Sequence, residues 1–359
     1  MRVIITAGGS GGHIYPAIAI AMKIKEMQPQ SEILYIGTHD RMEKTIVPSY
    51  GLKYEEIKIN GLNTSLKKNL QNIGLIIKAK RKCLKIMKEF KPDVVVGVGG
   101  YVTYPVIKAA AKLGIKVFLH EQNILPGKTN RILQKHVDVI GVSLEESIKY
   151  FKNPHKCILT GNPASELAVK TKAISKTKFG LNRKRKSVLM VQGSLGSTSI
   201  NEKMKAFLTK IDNEDYEVLY ITGKASYEEF SKNKFSKNVH IVPYVNGLSG
   251  LMKDIDVVVS RAGASTIAEM IALEKPSILI PSPYVANNHQ FYNAEAIINA
   301  KAGEMIEEKD FNPELLKEKI DKLLNDEVYY QQMQKNLSKI AINDSSTRIY
   351  HILKELSKK

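Results

Sequence analysis

Four glycine-rich segments contain the residues of this chain whose types and spacing are best suited to chemistry. Each follows a short apolar run and precedes a helical pattern; they are residues 8–13, 99–103, 193–197 and 263–266. A glycine turn at a helix N-terminus presents backbone N–H groups and a favourable dipole to an anion. Asp93 and Asp256 begin two Asp-Val-Val-Val runs. The number of residues between them equals the number between Gly100 and Gly263. The repetition predicts two similar domains that form a cleft for phosphorylated ligands.

The sequence of the first loop argues against several common sites. A G-x-G-x-x-G/A dinucleotide motif starting at Gly9 needs a small residue where Ile14 stands, and the chain has no P-loop sequence. The string from Gly8 to Gly12 matches a nucleophile elbow, but an elbow serine follows a later strand and precedes its Asp and His partners. The loop therefore favours a phosphate or pyrophosphate cradle, and tight strand–helix packing is the structural alternative.

The elements that must position these loops follow from the apolar pattern. Short apolar runs alternating with helical patterns predict an α/β fold of two Rossmann-like, doubly wound parallel-sheet domains. The predicted strands are 2–6, 33–37, 93–97, 115–119, 138–142, 187–192, 217–222, 239–242, 256–260, 276–280 and 303–305. The predicted helices include 16–27, 40–50, 69–90, 103–112, 127–135 and 344–357.

A turn-rich tetrapeptide, Thr-Gly-Asn-Pro at 160–163, predicts the boundary between the two domains. The N-terminal domain is then residues 1–162 and the C-terminal domain residues 163–340. The remaining segment, 341–359, is predicted to be a helix that packs back on the N-terminal domain. A length of 359 residues agrees with two domains rather than one core.

The net charge of +18 requires an explanation. Nucleic acid, an anionic membrane surface, anionic substrates and a lysine-rich proteome are the alternatives. The low aromatic content of 7%, the absence of Trp and the lack of a nucleic-acid motif argue against nucleic acid. Two cysteines without metal or redox spacing favour a reducing cytoplasmic compartment. Neither a signal peptide nor a spanning helix is predicted, because glycines and Pro16 interrupt the first apolar stretch and no later one is long enough.

The segment 67–91 is a basic amphipathic helix by its pattern. It carries nine Lys or Arg residues and one acid, Glu89, with apolar residues at helical spacing. Such a helix can lie on an anionic membrane surface. The alternative is a surface helix with a core-facing stripe and a solvated lysine face.

Seven motifs in order along the whole chain resemble the peptidoglycan N-acetylglucosaminyltransferases of the MurG family, which convert lipid I to lipid II. They are residues 6–16, 97–105, 120–123, 160–163, 193–197, 260–269 and 288–294. The resemblance implies the GT-B glycosyltransferase architecture and an inverting enzyme without a cofactor. The donor it implies is UDP-N-acetylglucosamine, and the acceptor is the 4-hydroxyl of the N-acetylmuramoyl unit of lipid I. It also implies a peripheral protein at the cytoplasmic face of the bacterial cell membrane, with the anionic membrane surface and cell-wall synthesis proteins as partners.

The resemblance implies a role for each matching residue. In the C-terminal domain it implies that Ser194 contacts the diphosphate, Val245 the uracil, Glu269 the ribose hydroxyls and Gln290 the sugar hydroxyls. The helix start facing the phosphate and ribose comprises Ala264, Ser265 and Thr266. In the N-terminal domain the implied contacts to the donor sugar or acceptor diphosphate are Ser10, Gly11, Gly12 and Asn123.

Two positions depart from the family pattern. Ser165 stands where many members carry an arginine, so a charged contact to the diphosphate is lost or supplied by another group. His289 stands where some members carry a second glutamine, and the contact made there stays open.

Inverting transfer needs a general base near the acceptor hydroxyl, and two residues are candidates. His13 is the first, because neutral imidazole suits the task near pH 7 and the residue opens a helix after the glycine loop. It could instead cap the turn, and its cationic form would stabilise phosphate. Glu121 is the rival base. The alternative role for Glu121 is structural, to hold His120 or a backbone amide. No Asp-x-Asp pair ends a strand, so no metal is predicted. The negative charge of the leaving group would instead be stabilised by helix N-termini, and Arg261 would contribute to this stabilisation.

Other functions share parts of this pattern. A related two-domain glycosyltransferase with another lipid acceptor, such as diacylglycerol, would differ in the loops of the first domain. A hydrolytic sugar-nucleotide epimerase would bind the same donor without a lipid. A non-catalytic nucleic-acid module is the alternative from a different class.

Overall fold

A computed structural model describes residues 1–61, 66–192, 198–212 and 214–358, without the side chains of 66–71 and 198. The strands in this part of the chain are Arg2–Ala7 (β1), Glu32–Thr38 (β2), Lys53–Ile57 (β3), Val94–Gly99 (β4), Lys116–Glu121 (β5), Val139–Val142 (β6), Cys157–Leu159 (β7), Lys186–Val191 (β8), Tyr216–Ile221 (β9), Val239–Val242 (β10), Val257–Ser260 (β11), Ser277–Leu279 (β12) and Glu304–Met305 (β13). The α-helices are Gly11–Met27 (α1), Glu43–Ser49 (α2), Leu66–Phe90 (α3), Thr103–Lys112 (α4), Lys128–Leu133 (α5), Pro163–Lys170 (α6), Thr198–Lys210 (α7), Tyr227–Ser231 (α8), Leu248–Met252 (α9), Ala264–Ala272 (α10), His289–Asn299 (α11), Pro313–Asn325 (α12), Glu327–Ile340 (α13) and Ser345–Leu356 (α14).

The chain divides into two compact units. Unit 1 comprises Met1–Glu166 and Asp344–Lys359, and unit 2 comprises Leu167–Asn343. The predicted boundary lay between residues 162 and 163, and the units divide between 166 and 167.

Each unit is built on one parallel sheet. Among the described residues, unit 1 has seven strands in the order β3-β2-β1-β4-β5-β6-β7, and unit 2 has six in the order β10-β9-β8-β11-β12-β13. Chain order reverses beside β1 and beside β8, which makes both sheets doubly wound. The predicted fold class is therefore confirmed. Strands β1, β4, β8 and β11 are almost wholly buried, as parallel strands covered on both faces must be.

The sheet order brings the glycine loops of unit 1 together. Strand β1 pairs with β4 in parallel register, with Val3 opposite Val94, so both strands end at the same edge of the sheet. Their following loops, Gly8–Gly12 and Gly99–Tyr101, must then be neighbours. In unit 2, β8 pairs with β11 in the same way, with Val188 opposite Val257. The loop after β8, residues 193–197, lies outside the described residues.

Two strands were not predicted from the sequence, β3 and β7. Both lie at the edges of the first sheet, where a strand has a neighbour on one side only. Strand β3 reads Lys-Tyr-Glu-Glu-Ile, and β7 has only three residues, none of them buried. Neither forms the continuous apolar run that marks a central strand.

The last helix, α14, belongs to unit 1, where it packs against α1. A buried carboxylate fixes its first turn: Glu166 Oε2 accepts the backbone N–H of Ser346 at 3.0 Å. The other oxygen of Glu166 pairs with Lys23 of α1 at 2.5 Å. None of the helices in the described ranges combines the length and apolar composition needed to cross a membrane.

Candidate functional site

The two glycine loops of unit 1 touch through their backbones. The N–H of Gly8 donates to the carbonyl of Gly99 at 3.3 Å. Gly100 has φ +87°, and a Cβ at that position would lie 2.3 Å from the carbonyl oxygen of Gly8. Position 100 therefore requires glycine both for its left-handed backbone and for the close approach of the two loops.

His13 lies where these loops meet, in the first turn of α1. Its Nδ1 is 3.2 Å from the carbonyl oxygen of Gly8 and 3.4 Å from Ser10 Oγ. A Cβ at Gly99, whose φ is +114°, would lie 2.5 Å from His13 Cδ2, so glycine there makes room for the ring. Because a carbonyl only accepts hydrogen bonds, Nδ1 carries the proton of a neutral ring and the lone pair is on Nε2. The arrangement gives His13 the tautomer that a general base needs.

Glu121, the rival base, ends β5 and is buried. Its Oε1 accepts the backbone N–H of Asn123 at 3.0 Å and the side-chain amide of Asn123 at 3.1 Å. Its Oε2 accepts the N–H of Gly127 at 2.9 Å and the side-chain amide of Asn130 at 2.8 Å. Four donors converge on the carboxylate, which shapes the loop after β5 and orients the Asn123 side chain.

His120 is buried beside Glu121 and does a different task. Burial lowers its pKa to about 4, opposed by the hydrogen bond between Nε2 and the carbonyl of Gly161 at 2.9 Å. The side-chain amide of Gln122 donates to Nδ1 at 2.9 Å. The ring is therefore neutral near pH 7 and fastens the turn before α6 to the end of β5.

Ser165, at the position where many family members have arginine, is buried in the first turn of α6. Its hydroxyl donates to the carbonyl of Asn162 at 2.7 Å, and its backbone N–H donates to the same oxygen at 3.0 Å. These two bonds tie Ser165 to the helix N-terminus. A short hydroxyl held in this way is no replacement for the reach of a guanidinium.

The residues of unit 2 that are predicted to face a nucleotide include residues on α10 and one in the segment before α9. Ala264, Ser265 and Thr266 form the first turn of α10 and are half-buried. Glu269 follows one turn later, and its Oε2 accepts the hydroxyl of Ser249 at 2.9 Å. Burial raises the pKa of Glu269 to about 7, and the hydrogen bond from Ser249 opposes that shift.

Val245 and Gln290 are positioned by loops with left-handed residues. Val245 is buried two residues before Gly247, which has φ +76° and precedes α9. Gln290 lies in the first turn of α11, and its Oε1 accepts the N–H of Ser282 at 2.8 Å. Two consecutive residues before that helix, at 287 and 288, have φ of 55° and 51°. Asparagine tolerates this backbone, whose strain recurs at ligand sites.

Arg261 is buried behind the start of α10 and is engaged within unit 2. It forms an ion pair with Glu308 at 2.6 Å. Its guanidinium also donates to the carbonyl of Ile280 at 3.2 Å and lies 3.3 Å from Ser199 Oγ in the first turn of α7. The predicted diphosphate contact Ser194 lies outside the described residues. His289 is half-buried, and its Nδ1 lies 2.8 Å from the carbonyl oxygen of Ala286.

Three residues of these sites were not singled out from the sequence. They are Glu43, which contacts the first glycine loop; Ser249, which bonds Glu269; and Glu308, which pairs with Arg261. Each reaches the site from a distant part of the chain, so no local motif reveals it. Within the described part of the chain, no group of three His, Cys, Asp or Glu residues is arranged to hold a metal ion.

Comparison with solved structures places the fold. MurG of Acinetobacter baumannii aligns with a TM-score of 0.78 and 23% identity, covering 99% of each chain. UDP-GlcNAc 2-epimerase of Neisseria meningitidis, solved with UDP-GlcNAc bound, aligns with a TM-score of 0.70 and 16% identity, covering 99% of this chain and all of that one. Both likenesses concern the fold, and the architecture is GT-B.

Comparison with families and named proteins covers both units. Residues 3–142 match the N-terminal domain of glycosyltransferase family 28, and residues 187–349 match its C-terminal domain. A protein of Bacillus cytotoxicus is 40% identical over 365 residues, with all of both chains covered, and one of Bacillus licheniformis is 40% identical over 362 residues, with 99% of each covered. Both relatives are named UDP-N-acetylglucosamine–N-acetylmuramyl-(pentapeptide) pyrophosphoryl-undecaprenol N-acetylglucosamine transferase. The chain therefore belongs to glycosyltransferase family 28, among the N-acetylglucosamine transferases of peptidoglycan synthesis known as the MurG family.

Proposed function

We propose that this chain transfers N-acetylglucosamine from UDP-N-acetylglucosamine to the 4-hydroxyl of the N-acetylmuramoyl unit of lipid I, with inversion, forming lipid II. The names and full-length similarity of its relatives support the substrates. The observation that carries the chemistry is the place of His13, where the two glycine loops of unit 1 meet, with its Nδ1 3.2 Å from the carbonyl oxygen of Gly8.

In the proposed reaction, His13 Nε2 takes the proton of the acceptor hydroxyl as its oxygen attacks the anomeric carbon of the donor. The new C–O bond forms as the bond from that carbon to the diphosphate breaks, and UDP leaves with the electron pair. A general base contributes about 10²–10⁴-fold to such a step. The glycine loop with Ser10, Gly11 and Gly12 is proposed to hold the acceptor diphosphate or donor sugar through its backbone and the dipole of α1.

Glu121 is proposed as a positioning residue rather than as the base. Its two oxygens already accept four hydrogen bonds, two of them from Asn123. The carboxylate thus presents the Asn123 side chain, which we propose contacts the donor sugar. A base must have an oxygen directed at the acceptor, and this geometry directs both oxygens at the protein.

The donor is proposed to bind unit 2. Its diphosphate would lie at the helix N-termini after β8 and β11, its uracil at Val245, its ribose at Glu269 and its sugar at Gln290. Ala264, Ser265 and Thr266 would supply backbone N–H groups of the α10 N-terminus, which stabilise the negative charge of departing UDP. Arg261 supports this arrangement from behind through Glu308 and Ser199.

The raised pKa of Glu269 predicts a pH-dependent affinity for UDP. Ribose hydroxyls donate to the ionised carboxylate, so UDP lowers the pKa of Glu269 from about 7 in the free protein. UDP affinity is then highest above pH 7 and falls as the pH is lowered, by up to about tenfold for each unit by which UDP lowers that pKa. Isothermal titration calorimetry between about pH 8 and about pH 5 measures the effect.

Two variants separate Glu269 from other titrating groups. Glu269→Gln is expected to bind UDP more weakly and with less pH dependence in this range; the dependence that remains comes from the terminal phosphate of UDP, whose second pKa is about 6. Glu295→Gln, which changes an exposed acid on α11, is expected to behave like the unmodified protein. An unchanged pH dependence in Glu269→Gln would rule out the ribose contact.

We also propose that unit 1 contacts an anionic membrane surface through α3. Ile73 and Ile77 are 53% and 47% exposed, on a helix whose core-facing stripe includes Ala79, Cys83 and Met87. The exposed basic residues of its described side chains are Lys78, Arg81, Lys82, Lys85 and Lys88. Exposed isoleucines among basic side chains are typical of a helix that lies in the lipid interface.

A second group of basic residues lies in the same unit. Lys108 Nζ and His136 Nε2 are 3.0 Å apart. Burial lowers the pKa of both, and the nearby lysines Lys80 and Lys135 lower them further. The repulsion that Lys80 and Lys135 exert on Lys108 would be relieved by an anion, such as a lipid phosphate.

Vesicle binding tests this membrane contact. Arg81→Glu with Lys88→Glu is expected to weaken binding to phosphatidylglycerol vesicles by at least about thirtyfold, because each basic residue near such a surface contributes about 1 kcal/mol. Arg183→Glu with Lys184→Glu makes the same charge change on unit 2 and is expected to have a much smaller effect. Equal losses in both double variants, or equal binding to uncharged phosphatidylcholine vesicles, would refute a specific role for α3.

The epimerase alternative is supported by one observation, the shared fold with UDP-GlcNAc 2-epimerases. UDP release from UDP-N-acetylglucosamine, measured with and without a lipid I analogue, distinguishes the two activities. The proposed transferase releases UDP only when the acceptor is present. Release without it, or formation of an epimeric sugar nucleotide, would favour the epimerase.

A further inference from the structure

Glu43 is a buried acid that the proposed reaction does not use. It is the first residue of α2, and its side chain is fully buried, with 0% exposure. Its Oε1 accepts the hydroxyl of Thr38 at 2.7 Å and the N–H of Thr38 at 3.2 Å. Its Oε2 accepts the N–H of Gly9 at 3.4 Å. Each of these three hydrogen bonds comes from a donor at the end of β2 or in the first glycine loop.

The surroundings of Glu43 are shaped to admit a carboxylate. A Cβ at Gly8 would lie 2.3 Å from Glu43 Oε1, and a Cβ at Gly37 would lie 2.9 Å from Glu43 Cγ. Glycine at both positions therefore leaves the space that the side chain fills. An amide in this space would turn its NH₂ group toward either Thr38 or Gly9, both of which donate, so at least one hydrogen bond would be replaced by repulsion.

Glu43 connects this space to His13 through one residue of the loop. Gly9 stands between Gly8, whose carbonyl accepts His13 Nδ1–H, and Ser10, the residue before α1. Gly9 has φ +94°, and nothing lies within 4 Å of its hypothetical Cβ. Because the space around this position is open, the hydrogen bond to Glu43 is a specific restraint on the backbone of Gly9.

We propose that Glu43 is a positioning residue for transfer: it holds Gly9 and thereby sets the place and tautomer of His13. The inference rests on the proposed function, in which His13 is the base. Glu43 touches neither substrate in this account and acts through the loop. A misplacement of about 1 Å is enough to lower a rate by about a hundredfold.

The test compares Glu43→Gln with Glu56→Gln, which changes an exposed acid on the neighbouring strand β3. Glu43→Gln is expected to lower kcat by about ten- to a hundredfold. The affinity and stoichiometry of UDP binding, which belong to unit 2, are expected to stay unchanged. Hydrogen–deuterium exchange of the peptide 8–14 is expected to become faster, whereas Glu56→Gln leaves both kcat and exchange unchanged.

A second pair of variants serves if Glu43→Gln does not fold. Thr38→Val removes the hydroxyl that Glu43 Oε1 accepts, and Thr38→Ser keeps it. The expected order of kcat is Thr38→Ser above Thr38→Val, with faster exchange of peptide 8–14 only in the valine variant. A loss of activity that merely followed the folded fraction of unit 1 would appear equally in the circular dichroism of the variant.

The outcomes separate this inference from the proposed function. One outcome would overturn the inference and leave the proposed function standing: the wild-type protein transfers sugar, and Glu43→Gln is folded with a kcat within about twofold of the wild-type value. Unaltered exchange of peptide 8–14 in folded Glu43→Gln would also overturn it. Wild-type protein without transfer would refute the proposed function, and the exchange measurement would still report whether Glu43 orders the loop.

Discussion

Replacing His13 with glutamine lowers kcat by about 10²–10⁴-fold and leaves the affinity for UDP unchanged, because glutamine cannot take a proton from the acceptor hydroxyl. Glutamine retains a donor for the carbonyl of Gly8, so the loop is expected to keep its shape. Steady-state kinetics with a lipid I analogue measures kcat, and calorimetry measures UDP binding.

The controls for His13 are a surface histidine and the rival base. His155→Gln, at an exposed position of unit 1, is expected to retain full kcat. Glu121→Gln is expected to lower kcat too, but with the pH dependence of the rate preserved, because the residue positions Asn123 and the loop after β5 and takes no proton. If His13→Gln kept most of its activity and Glu121→Gln lost the pH dependence, the base would be Glu121.

Replacing Lys23 with alanine lowers the free energy of unfolding by about 3–5 kcal/mol, the usual cost of removing one partner from a buried ion pair. The pair between Lys23 and Glu166 is 2.5 Å long, and less than a tenth of either side chain is exposed. Without Lys23, the charge of Glu166 stays buried while its Oε2 still accepts the N–H of Ser346. Unfolding in urea, monitored by circular dichroism, measures the loss.

An exposed pair in the same unit provides the comparison. Lys44 and Glu56 are 2.9 Å apart, but about half of each side chain is exposed, so Lys44→Ala is expected to have a small effect. Replacing both Lys23 and Glu166 with alanine is expected to lower the free energy of unfolding by less than the sum of the decreases in the two single variants. A Lys23→Ala variant no less stable than Lys44→Ala would contradict a stabilising role for the buried pair.

The central strands and the glycine loops were predictable because both have local causes. A strand covered on both faces needs an uninterrupted apolar run, as in Val94–Gly99, and the glycine-rich turn that follows such a run leads into a helix. The pattern also indicated that the strands run in parallel, which places both loops of unit 1 at one edge. These are properties that neighbouring residues impose on one another.

The parts that could not be predicted depend on contacts between distant residues. The sequence shows no acid at the end of β2, yet Glu43 reaches back from α2 to bond Thr38 there. Glu121 ends a strand as a catalytic acid would, and only the structure reveals the four donors that occupy it. The edge strands β3 and β7 escaped prediction because pairing on one side requires no apolar run.

The product formed from UDP-N-acetylglucosamine and a lipid I analogue tests the central claim most directly. NMR spectroscopy of the isolated product determines both the linkage position and the anomeric configuration. The account predicts a single disaccharide in which N-acetylglucosamine is β-linked to the 4-hydroxyl of the N-acetylmuramoyl unit. An α-linkage, attachment at another hydroxyl, or no disaccharide despite UDP binding would contradict it.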